Sequence, residues 1–177
     1  MKLPLPHRLA NTRLRALRRG DLPEFLAYRG DPLVARYQGW ECMSRAQALA
    51  FIDAQAPGAA LHPGSWRQLG VADAETDALI GDVGIWLAPD AASAEFGLSI
   101  ARTRQGRGLG TEVVSGVLAL LFAATTVTEV LASTDVRNTA CTVALERAGM
   151  TRIGTHQGEF KGEACIEYRY RATRQTA

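Results

Sequence analysis

The stretch Arg102–Glu112, RTRQGRGLGTE, most restricts the folds open to this chain, because it joins a strand-like segment to a helix-like one. Residues 94–100 are predicted as a strand. Apolar residues at 113, 114, 117, 118, 121 and 122 follow the i, i+3, i+4 spacing of an amphipathic helix. A helix start offers unpaired N–H groups, and glycines let an anion approach those groups without a Cβ in the way. The stretch therefore predicts an anion-binding turn between a strand and a helix.

Three kinds of glycine turn compete for this stretch. A dinucleotide fingerprint requires GxGxxG inside an early βαβ unit, whereas Gly106, Gly108 and Gly110 give GxGxG without such a unit. A Walker loop ends in GK[ST], but Thr111 follows Gly110 directly and no lysine is present. A plain strand–helix corner with no ligand is the third interpretation.

The remaining patterns predict the element order β, α, α, β, β, β, α, β, α, β, β. Strands are predicted at residues 12–17, 66–72, 79–87, 94–100, 129–133, 150–157 and 166–172. Asp21, Ser44 and Asn138 are expected to cap helices that run to about Arg29, Gln55 and Gly149. Residues 31–32 and 160–163 are predicted as turns, and residues 56–65 as a loop. No repeat or linker interrupts this order, which indicates one α/β domain.

Composition excludes several classes of protein. The net charge of +2 is too small for a dedicated nucleic-acid binder, although 18 of the 20 basic residues are arginine. Arginines in the run TRLRALRR, residues 12–19, are expected on the solvent face of a strand. The three cysteines and three histidines are scattered, which argues against a disulfide framework or a metal site. No membrane span or signal peptide is recognisable, so a cytoplasmic location is expected.

The pattern Q-x-x-G-x-G, matched by Gln105, Gly108 and Gly110, resembles the coenzyme A cradle of the GNAT acyltransferase superfamily. Residues 94–114, AEFGLSIARTRQGRGLGTEVV, look like the fourth strand, loop and third helix of that family, and DVRNTACTVALERAGM like its later "N-x-x-S" helix. The opening TRLRALRRGDLPEFLAYRGDP resembles the Rim-type branch, which acetylates protein N-termini.

This resemblance covers about residues 12–172 and implies a single GNAT domain over residues 1–177. The implied α/β fold has a mixed central sheet of about seven strands. Its fourth and fifth strands splay apart, and helices cover both faces of the sheet.

The resemblance also implies acetyl-CoA as the co-substrate, with no metal. Main-chain amides from Gln105 to Thr111 would hold the pyrophosphate, with Arg104 or Arg107 adding charge. The strand edge at Leu98–Ile100 would pair with the pantetheine amides, and Asn138 would flank the coenzyme tail. The expected coenzyme-binding set is Leu98, Ser99, Ile100, Arg104, Gln105, Gly106, Arg107, Gly108, Leu109, Gly110, Thr111 and Asn138.

Two catalytic residues are expected by the same resemblance. Glu95 would accept the proton of the amine, often through water, with a surface carboxylate as the alternative. Cys141 occupies the serine position of the Rim branch, and its S–H is a weaker donor. Many family members carry a tyrosine seven residues after the asparagine as the acid for the thiolate, but this chain has Leu145 there.

Acceptor binding is expected at the loop between the first helices, where Tyr37, Trp40 and Glu41 combine aromatic walls with a carboxylate. Core packing is the alternative role for both aromatic residues. Glu159 and Glu163 in the last hairpin could serve the acceptor as well, or simply solvate a turn.

These residues together predict an N-acetyltransferase in which a primary amine attacks acetyl-CoA directly in a ternary complex. At pH 7 an α-amine is neutral in roughly one molecule in seven, whereas a lysine side chain is neutral in only about one in 2,500. A protein or peptide N-terminal amine is therefore the favoured acceptor. A small-molecule amine (polyamine, aminoglycoside or amino acid) and a coenzyme A-binding module without turnover are the alternatives. No nucleic acid or membrane partner is expected, and a homodimer is left open.

Overall fold

The computed structural model describes residues 1–55 and 60–175 of the chain, so part of the expected loop, residues 56–59, lies outside the described residues. The strands are β1 His7–Arg8, β2 Thr12–Ala16, β3 Ser65–Asp73, β4 Leu79–Leu87, β5 Ser93–Ile100, β6 Glu129–Asp135, β7 Thr151–Phe160 and β8 Glu163–Thr173. The α-helices are α1 Leu22–Arg29, α2 Pro32–Ala35, α3 Arg45–Gln55, α4 Leu109–Ala124 and α5 Thr139–Arg147. Short 3-10 turns lie at Arg19–Asp21 and Arg102–Arg104.

All eight described strands join one mixed sheet in the order β1-β2-β3-β4-β5-β6-β8-β7. One face carries a core that includes Val117 and Leu121 of α4, and the other carries a core that includes Phe25 of α1 and Ile52 of α3. The predicted mixed sheet with helices on both faces is confirmed. It has one strand more than expected, because β1 pairs with β2 ahead of the first predicted strand.

A gap opens between β5 and β6, which correspond to the fourth and fifth strands of the sequence prediction. The two strands pair in parallel at Ser93–Glu129, Ala94–Val130 and Glu95–Leu131. Among the described residues the pairing goes no further, although β5 continues to Ile100 and β6 to Asp135. The predicted splay is therefore confirmed, and it begins just after Glu95.

Helix α4 lies at the centre of the larger core. Its residues Val113, Val114, Val117, Leu120 and Leu121 are buried, as the apolar spacing predicts. The helix begins at Leu109, four residues before the first of the predicted apolar positions. The second and third glycines of the stretch thus belong to its N-cap and first turn.

Two of the three predicted helix caps are confirmed by side-chain hydrogen bonds. Ser44 and Gln47 form a reciprocal capping box, in which Gln47 N donates to Ser44 Oγ and Ser44 N donates to Gln47 Oε1. Asn138 Oδ1 accepts the N–H of Cys141 at 3.2 Å. Asp21 is the N-cap residue of α1, as predicted, but its side chain makes no hydrogen bond to that helix and instead accepts the N–H of Arg18 in the preceding 3-10 turn.

The Asp21 carboxylate binds an arginine that was expected to face solvent. Arg15 donates from Nη1 and Nη2 to the two Asp21 oxygens, each at 2.7 Å, and its Nε donates to Asp77 at 3.0 Å. Arg15 is buried, with 8% of its surface exposed. The expectation that the arginines of residues 12–19 line a solvent face is therefore wrong for this side chain. A bidentate carboxylate pair allows a guanidinium group to be buried in this way.

The final hairpin turns where the sequence predicts it. Lys161 and Gly162 lie between the paired residues Phe160 and Glu163, and both have positive φ angles of 51° and 79°. Two central residues with positive φ match the right-handed twist of a two-residue hairpin. The tip reaches the first helical layer, since Lys161 Nζ donates to the Ala35 carbonyl at 3.0 Å.

Candidate active site

Main-chain groups of alternate β5 residues face the gap. Ala88 N donates to the Ser93 carbonyl and Ala101 N to the Ile80 carbonyl, so the odd-numbered residues of β5 are bonded to β4. The even-numbered residues Phe96, Leu98 and Ile100 therefore direct their N–H and C=O groups toward β6. Since β6 has diverged at that point, these groups form an open strand edge.

The three residues expected to bind the pantetheine arm differ in this respect. Leu98 and Ile100 present main-chain groups to the gap, whereas Ser99 is buried and paired with Asp82 of β4. The two gap-facing carbonyls already accept carboxamide protons. Gln38 Nε2 donates to the Leu98 oxygen at 3.1 Å, and Gln105 Nε2 donates to the Ile100 oxygen at 2.8 Å.

The glycine turn at the end of β5 presents a row of main-chain N–H groups. Gly106 and Gly108 both have φ of 76°, which favours glycine, and a Cβ on either would meet no atom within 4 Å. The first intrahelical bond of α4 runs from Glu112 N to the Gly108 carbonyl. Within the described part of the chain, no protein acceptor is recorded for the six N–H groups of residues 106–111.

Arginines surround this turn without filling it. Arg102 pairs with Asp31 at 2.8 Å and Arg104 with Asp73 at 3.4 Å. Arg107 is exposed, and it has no recorded ion pair within the described residues. These three guanidinium groups and the N-terminus of α4 make the turn electropositive. The carboxylate at the helix start, Glu112, does not neutralise the turn because it binds elsewhere.

Glu112 anchors the beginning of β2. Its Oε1 accepts from the N–H and hydroxyl of Thr12 at 2.8 and 2.7 Å, and its Oε2 accepts from Asn11 Nδ2 at 2.7 Å. Burial alone would raise the pKa of Glu112, but the hydrogen bonds from Thr12 and Asn11 lower it overall. This interaction ties the first turn of α4 to the sheet edge and fixes the position of the glycine turn.

Helix α5 brings Asn138 and Cys141 to the other side of the gap. Cys141 lies in the first turn of α5, half-buried, and packs on the larger core. Burial raises the pKa of its thiol, and a hydrogen bond with Thr134 of β6 partly offsets this. Leu145, at the position where the resembled family has a tyrosine, is buried in the core with 1% exposure.

Of the two tyrosines of the last strand, Tyr170 does not take the place of that missing acid. Tyr170 is fully buried and donates its hydroxyl proton to Glu146 of α5 at 2.9 Å. Tyr168 is half-buried, and the guanidinium group of Arg152 lies 4.5 Å from its ring centroid. The structure thus brings Cys141 to the expected side of the gap, but assigns Tyr170 to the core.

Glu95 lies at the point where β5 and β6 separate. It is paired with Trp86 of β4 and Leu131 of β6, in the last parallel pair before the gap. Its neighbours Ala94 and Phe96 point into the α4 core, so the Glu95 side chain points to the opposite face, toward the layer of α1 and α3. It is half-buried there.

The expected acceptor residues occupy different surroundings. Tyr37 is half-buried and its ring lies between the guanidinium groups of Arg36 and Arg137, at 5.1 and 5.9 Å. Trp40 packs against the α1–α3 core, with the Arg29 guanidinium group 4.9 Å from its ring centroid. Glu41 is exposed. Tyr37 is therefore close to the β6–α5 loop, whereas Trp40 has the packing role that the sequence left as an alternative.

The last hairpin contributes a groove of about 650 Å³ beside that loop. Its lining includes Arg137, Glu159 and Cys165. Arg137 donates to both carboxylate oxygens of Asp135, at 2.9 and 2.6 Å, and these hydrogen bonds lower the pKa of Asp135. Glu163 also acts electrostatically on Arg137. Arg137 thus adjoins both the hairpin groove and the Tyr37 ring.

Sequence reasoning missed a buried polar cluster under α1. Asp82 of β4 accepts from the Tyr28 hydroxyl, from Arg29 Nη2 at 2.8 Å and from Gln68 Nε2 at 3.0 Å. Burial is the main cause that raises the pKa of Tyr28, followed by the Asp82 charge. The available signal was the lone carboxylate in the apolar run LIGDVGIWL, since a buried charge requires partners. The hydrogen bond from Gln38 to the Leu98 carbonyl had no comparable signal in the sequence.

Two further properties concern metals and membranes. The described side chains of His, Cys, Asp and Glu form no group of three or more that could hold a metal ion. Among the helices of the described chain, none combines the length and apolar character required to cross a bilayer.

Comparison with known proteins adds an independent observation. Residues 11–151 match the family model described as "Acetyltransferase (GNAT) domain". No curated protein gives a significant sequence match to this chain.

Solved structures superpose closely. A GNAT-family acetyltransferase from Bacillus anthracis gives a TM-score of 0.84 at 16% identity, with 98% of each chain covered. RimL, a ribosomal alpha-N-protein acetyltransferase solved with coenzyme A, gives 0.81 at 14% identity over 94% of this chain and 97% of its own. A spermidine N-acetyltransferase from Vibrio cholerae, solved with CoA and spermine, gives 0.78 at 24% identity over 92% and 95%. At these identities the likeness shows the fold alone.

Proposed function

Because this chain belongs to the GNAT acetyltransferase family and thus catalyses acyl transfer from acetyl-CoA, we propose that its acceptor is a primary amine at a protein or peptide N-terminus. The proposal assigns the gap between β5 and β6 to the donor. It assigns the opposite, α1–α3 face of the sheet to the acceptor.

One observation carries the donor side of the proposal. Six consecutive N–H groups, residues 106–111, surround the start of α4, and none has a protein acceptor among residues 1–55 and 60–175. They adjoin the strand edge at Leu98 and Ile100, which lacks a partner strand. A diphosphate suits the amides, and the amide-bearing pantetheine arm suits the edge. Arg107 and Arg104 supply cationic charge next to the same turn.

We assign Glu95 to the nucleophile because it lies where β5 and β6 separate. An amine must lose a proton to attack the thioester carbonyl, and a carboxylate on the acceptor face can take that proton directly or through one water. The neutral amine then forms the N–C bond and the C–S bond breaks. The nitrogen loses its second proton as the thiolate gains one, so that the products are the amide and the free thiol. In this assignment Glu95 touches the reacting amine or its water, and the amides of the glycine turn only hold the donor in place.

Cys141 is the proposed proton donor for the departing thiolate. Its burial favours the neutral thiol, which is the form that can donate a proton. Leu145 supplies no donor, and Tyr170 is bonded to Glu146 within the core. Asn138 holds the first turn of α5 through its bond to the Cys141 N–H, which fixes the position of the thiol.

The acceptor class follows from proton availability. A terminal α-amine is already neutral in roughly one molecule in seven at pH 7, so a single half-buried carboxylate suffices as base. A lysine side chain requires a far stronger base. The proposal assigns Tyr37 and the hairpin residues Glu159 and Glu163 to contacts with the residues that follow such an amine.

The donor site is tested by a strain-matched pair of variants. Gly108→Val places a branched side chain among the free amides at φ 76°, and Gly64→Val places the same side chain at φ 73° in a distant loop. Each imposes about 1–2 kcal/mol of backbone strain. Calorimetry should show coenzyme A binding lost in Gly108→Val and kept in Gly64→Val. Equal affinity in both variants would refute the assignment.

The acceptor class is tested by a panel. Thiol release from acetyl-CoA should be fastest with peptides that carry a free N-terminus, and blocking that amine should abolish it. Faster release with spermidine, an aminoglycoside or a free amino acid would assign the acceptor to small molecules. Coenzyme A binding without release for any amine would indicate a binding module.

A further inference from the structure

Two glutamine side chains occupy the open edge of β5. Gln38 Nε2 donates to the Leu98 carbonyl and Gln105 Nε2 to the Ile100 carbonyl, both of which face the gap. A carboxamide N–H is the same kind of donor as the amides of a pantetheine arm. Each glutamine therefore donates to a carbonyl that the pantetheine arm of acetyl-CoA would use under the proposed function.

The two glutamines come from different parts of the chain. Gln105 lies only five residues after its acceptor, in the glycine turn itself. Gln38 lies 60 residues before Leu98, in the connection between α2 and α3. This connection, residues 36–44, contains Tyr37, Trp40 and Glu41, and we name it the acceptor segment. Gln38 thus links the acceptor segment to the donor edge.

Other contacts hold the residue just before the acceptor segment and Trp40 at its centre. Ala35, just before it, accepts the hairpin's Lys161 at 3.0 Å, and Trp40 is held against the α1–α3 core under Arg29. Between these anchors the main chain has few bonds, one of which runs from Gln38 N to the Ala35 carbonyl. The side-chain bond of Gln38 is therefore a main restraint on residues 36–39, the first half of the segment.

We propose that Gln38 is a positioning residue that couples donor binding to the acceptor segment. This inference rests on the proposed function. Before acetyl-CoA binds, the Gln38 carboxamide donates a hydrogen bond to the Leu98 carbonyl and holds the acceptor segment against the gap. When the pantetheine arm pairs with β5, its amide N–H replaces that of Gln38, and the segment is released. Productive acceptor binding then follows donor binding, because the segment adopts its acceptor-binding position only after release.

Hydrogen–deuterium exchange of the wild-type chain tests this coupling with coenzyme A as the probe. Addition of coenzyme A should slow exchange in residues 105–112, which reports the donor site. It should speed exchange in residues 36–44 by roughly twofold to tenfold, the range that the loss of one net hydrogen bond supplies. Slowed exchange at 105–112 with unchanged or slowed exchange at 36–44 overturns the inference and leaves the proposed function standing. Unchanged exchange at 105–112 overturns both.

Variants sharpen the test. Gln38→Met keeps the length of the side chain and removes its hydrogen-bond donor. This variant should bind coenzyme A roughly twofold to tenfold more tightly than the wild type does, because the coenzyme displaces no internal hydrogen bond. Its residues 36–44 should exchange fast in both states. Gln105→Met removes the neighbouring carboxamide and should leave the response of residues 36–44 in place. If Gln38→Met unfolds at a lower temperature than the wild type, Gln38→Glu replaces it in the test, because glutamate also lacks the N–H donor. Wild-type coupling in a folded Gln38 variant overturns the inference.

Discussion

The guanidinium group of Arg29 and the carboxylate of Asp82 form a buried ion pair, in which Nη2 lies 2.8 Å from Oδ2. Helix α1 supplies the arginine and β4 the aspartate, so the pair fastens the acceptor-side layer to the sheet. The rings of Phe25 and Trp40 lie within 5 Å of the guanidinium carbon. The same ion pair therefore supports Trp40 of the acceptor segment.

Removal of one partner from this pair should be strongly destabilising. Asp82→Ala leaves a buried guanidinium group and the Tyr28 hydroxyl without their acceptor, which should lower the free energy of unfolding by about 3–5 kcal/mol. Asp53→Ala breaks the exposed pair with Arg19 and should change stability little. Urea unfolding monitored by circular dichroism measures both. Similar losses in the two variants would contradict the role assigned to burial.

Glu112 should make the stability of the fold sensitive to acid. Hydrogen bonds from Thr12 and Asn11 keep its pKa in the folded chain below the ordinary value of 4.5, although burial acts in the opposite direction. Its contribution is therefore complete above about pH 4.5 and is lost as the pH falls through the lower, folded-state pKa.

Glu112→Gln should accordingly lower the melting temperature at pH 7. The difference from the wild type should narrow as the pH falls below about 4.5. A difference that stays constant from pH 7 to pH 3 would show that the charge of Glu112 does not stabilise the fold.

Gly81 is required where β4 and β5 approach closely. A Cβ at this position would lie 2.1 Å from the Ser99 carbonyl oxygen, whereas a Cβ at Gly97 would meet nothing within 4 Å. Gly81→Ala should therefore destabilise the fold by about 1–3 kcal/mol, and it should weaken coenzyme A binding because β5 must shift beside Leu98. Gly97→Ala is the control for stability. Thermal unfolding and calorimetry measure the two effects, and equal stability of the variants would contradict the prediction.

The sequence predicted the elements whose signals are local. Alternation and apolar spacing located the predicted strands and the buried face of α4, while Ser44, Asn138 and the 160–163 turn were identified by their cap and turn chemistry. Asp21 is the N-cap residue that the sequence predicted, but its carboxylate binds Arg15 of β2 rather than an N–H of α1. Strand β1 is only two residues long, too short for a periodic pattern.

The candidate site likewise combines features that the sequence predicts locally with long-range contacts that it does not predict. The glycine turn and the Asn138 cap are sequence-local, so their position at the two sides of the gap was predictable once the strand order was known. Gln38 and Asp82 act through partners 60 and 53 residues away, and no spacing rule identifies such contacts. Trp40 illustrates the same limit, because the sequence alone could not separate a binding wall from core packing.

Cys141 should affect the release of the thiol more than the binding of the donor. Burial keeps the pKa of its thiol above the ordinary value of 9.0, so the S–H proton is present at neutral pH. Cys141→Ala should lower kcat by at least about tenfold. Cys141→Ser supplies an O–H that hydrogen-bonds more strongly but is a much weaker acid than a thiol, so it should not restore the wild-type kcat. Stopped-flow thiol release and calorimetry separate the effects, and wild-type kcat in Cys141→Ala would remove the residue from the mechanism.

Glu95 should be needed only while the acceptor amine still carries a proton. Glu95→Gln keeps the size and polarity of the side chain but cannot accept a proton, so kcat at pH 7 should fall by about 10²-fold or more. Coenzyme A affinity should not change, because the proposed donor contacts lie beyond Glu95 on β5 and in the glycine turn. The deficit should shrink as the pH rises past about 8, where an α-amine is neutral without assistance. A pH profile of kcat for both proteins tests this, and a deficit that is equally large at pH 7 and pH 9.5 would assign Glu95 a structural role instead.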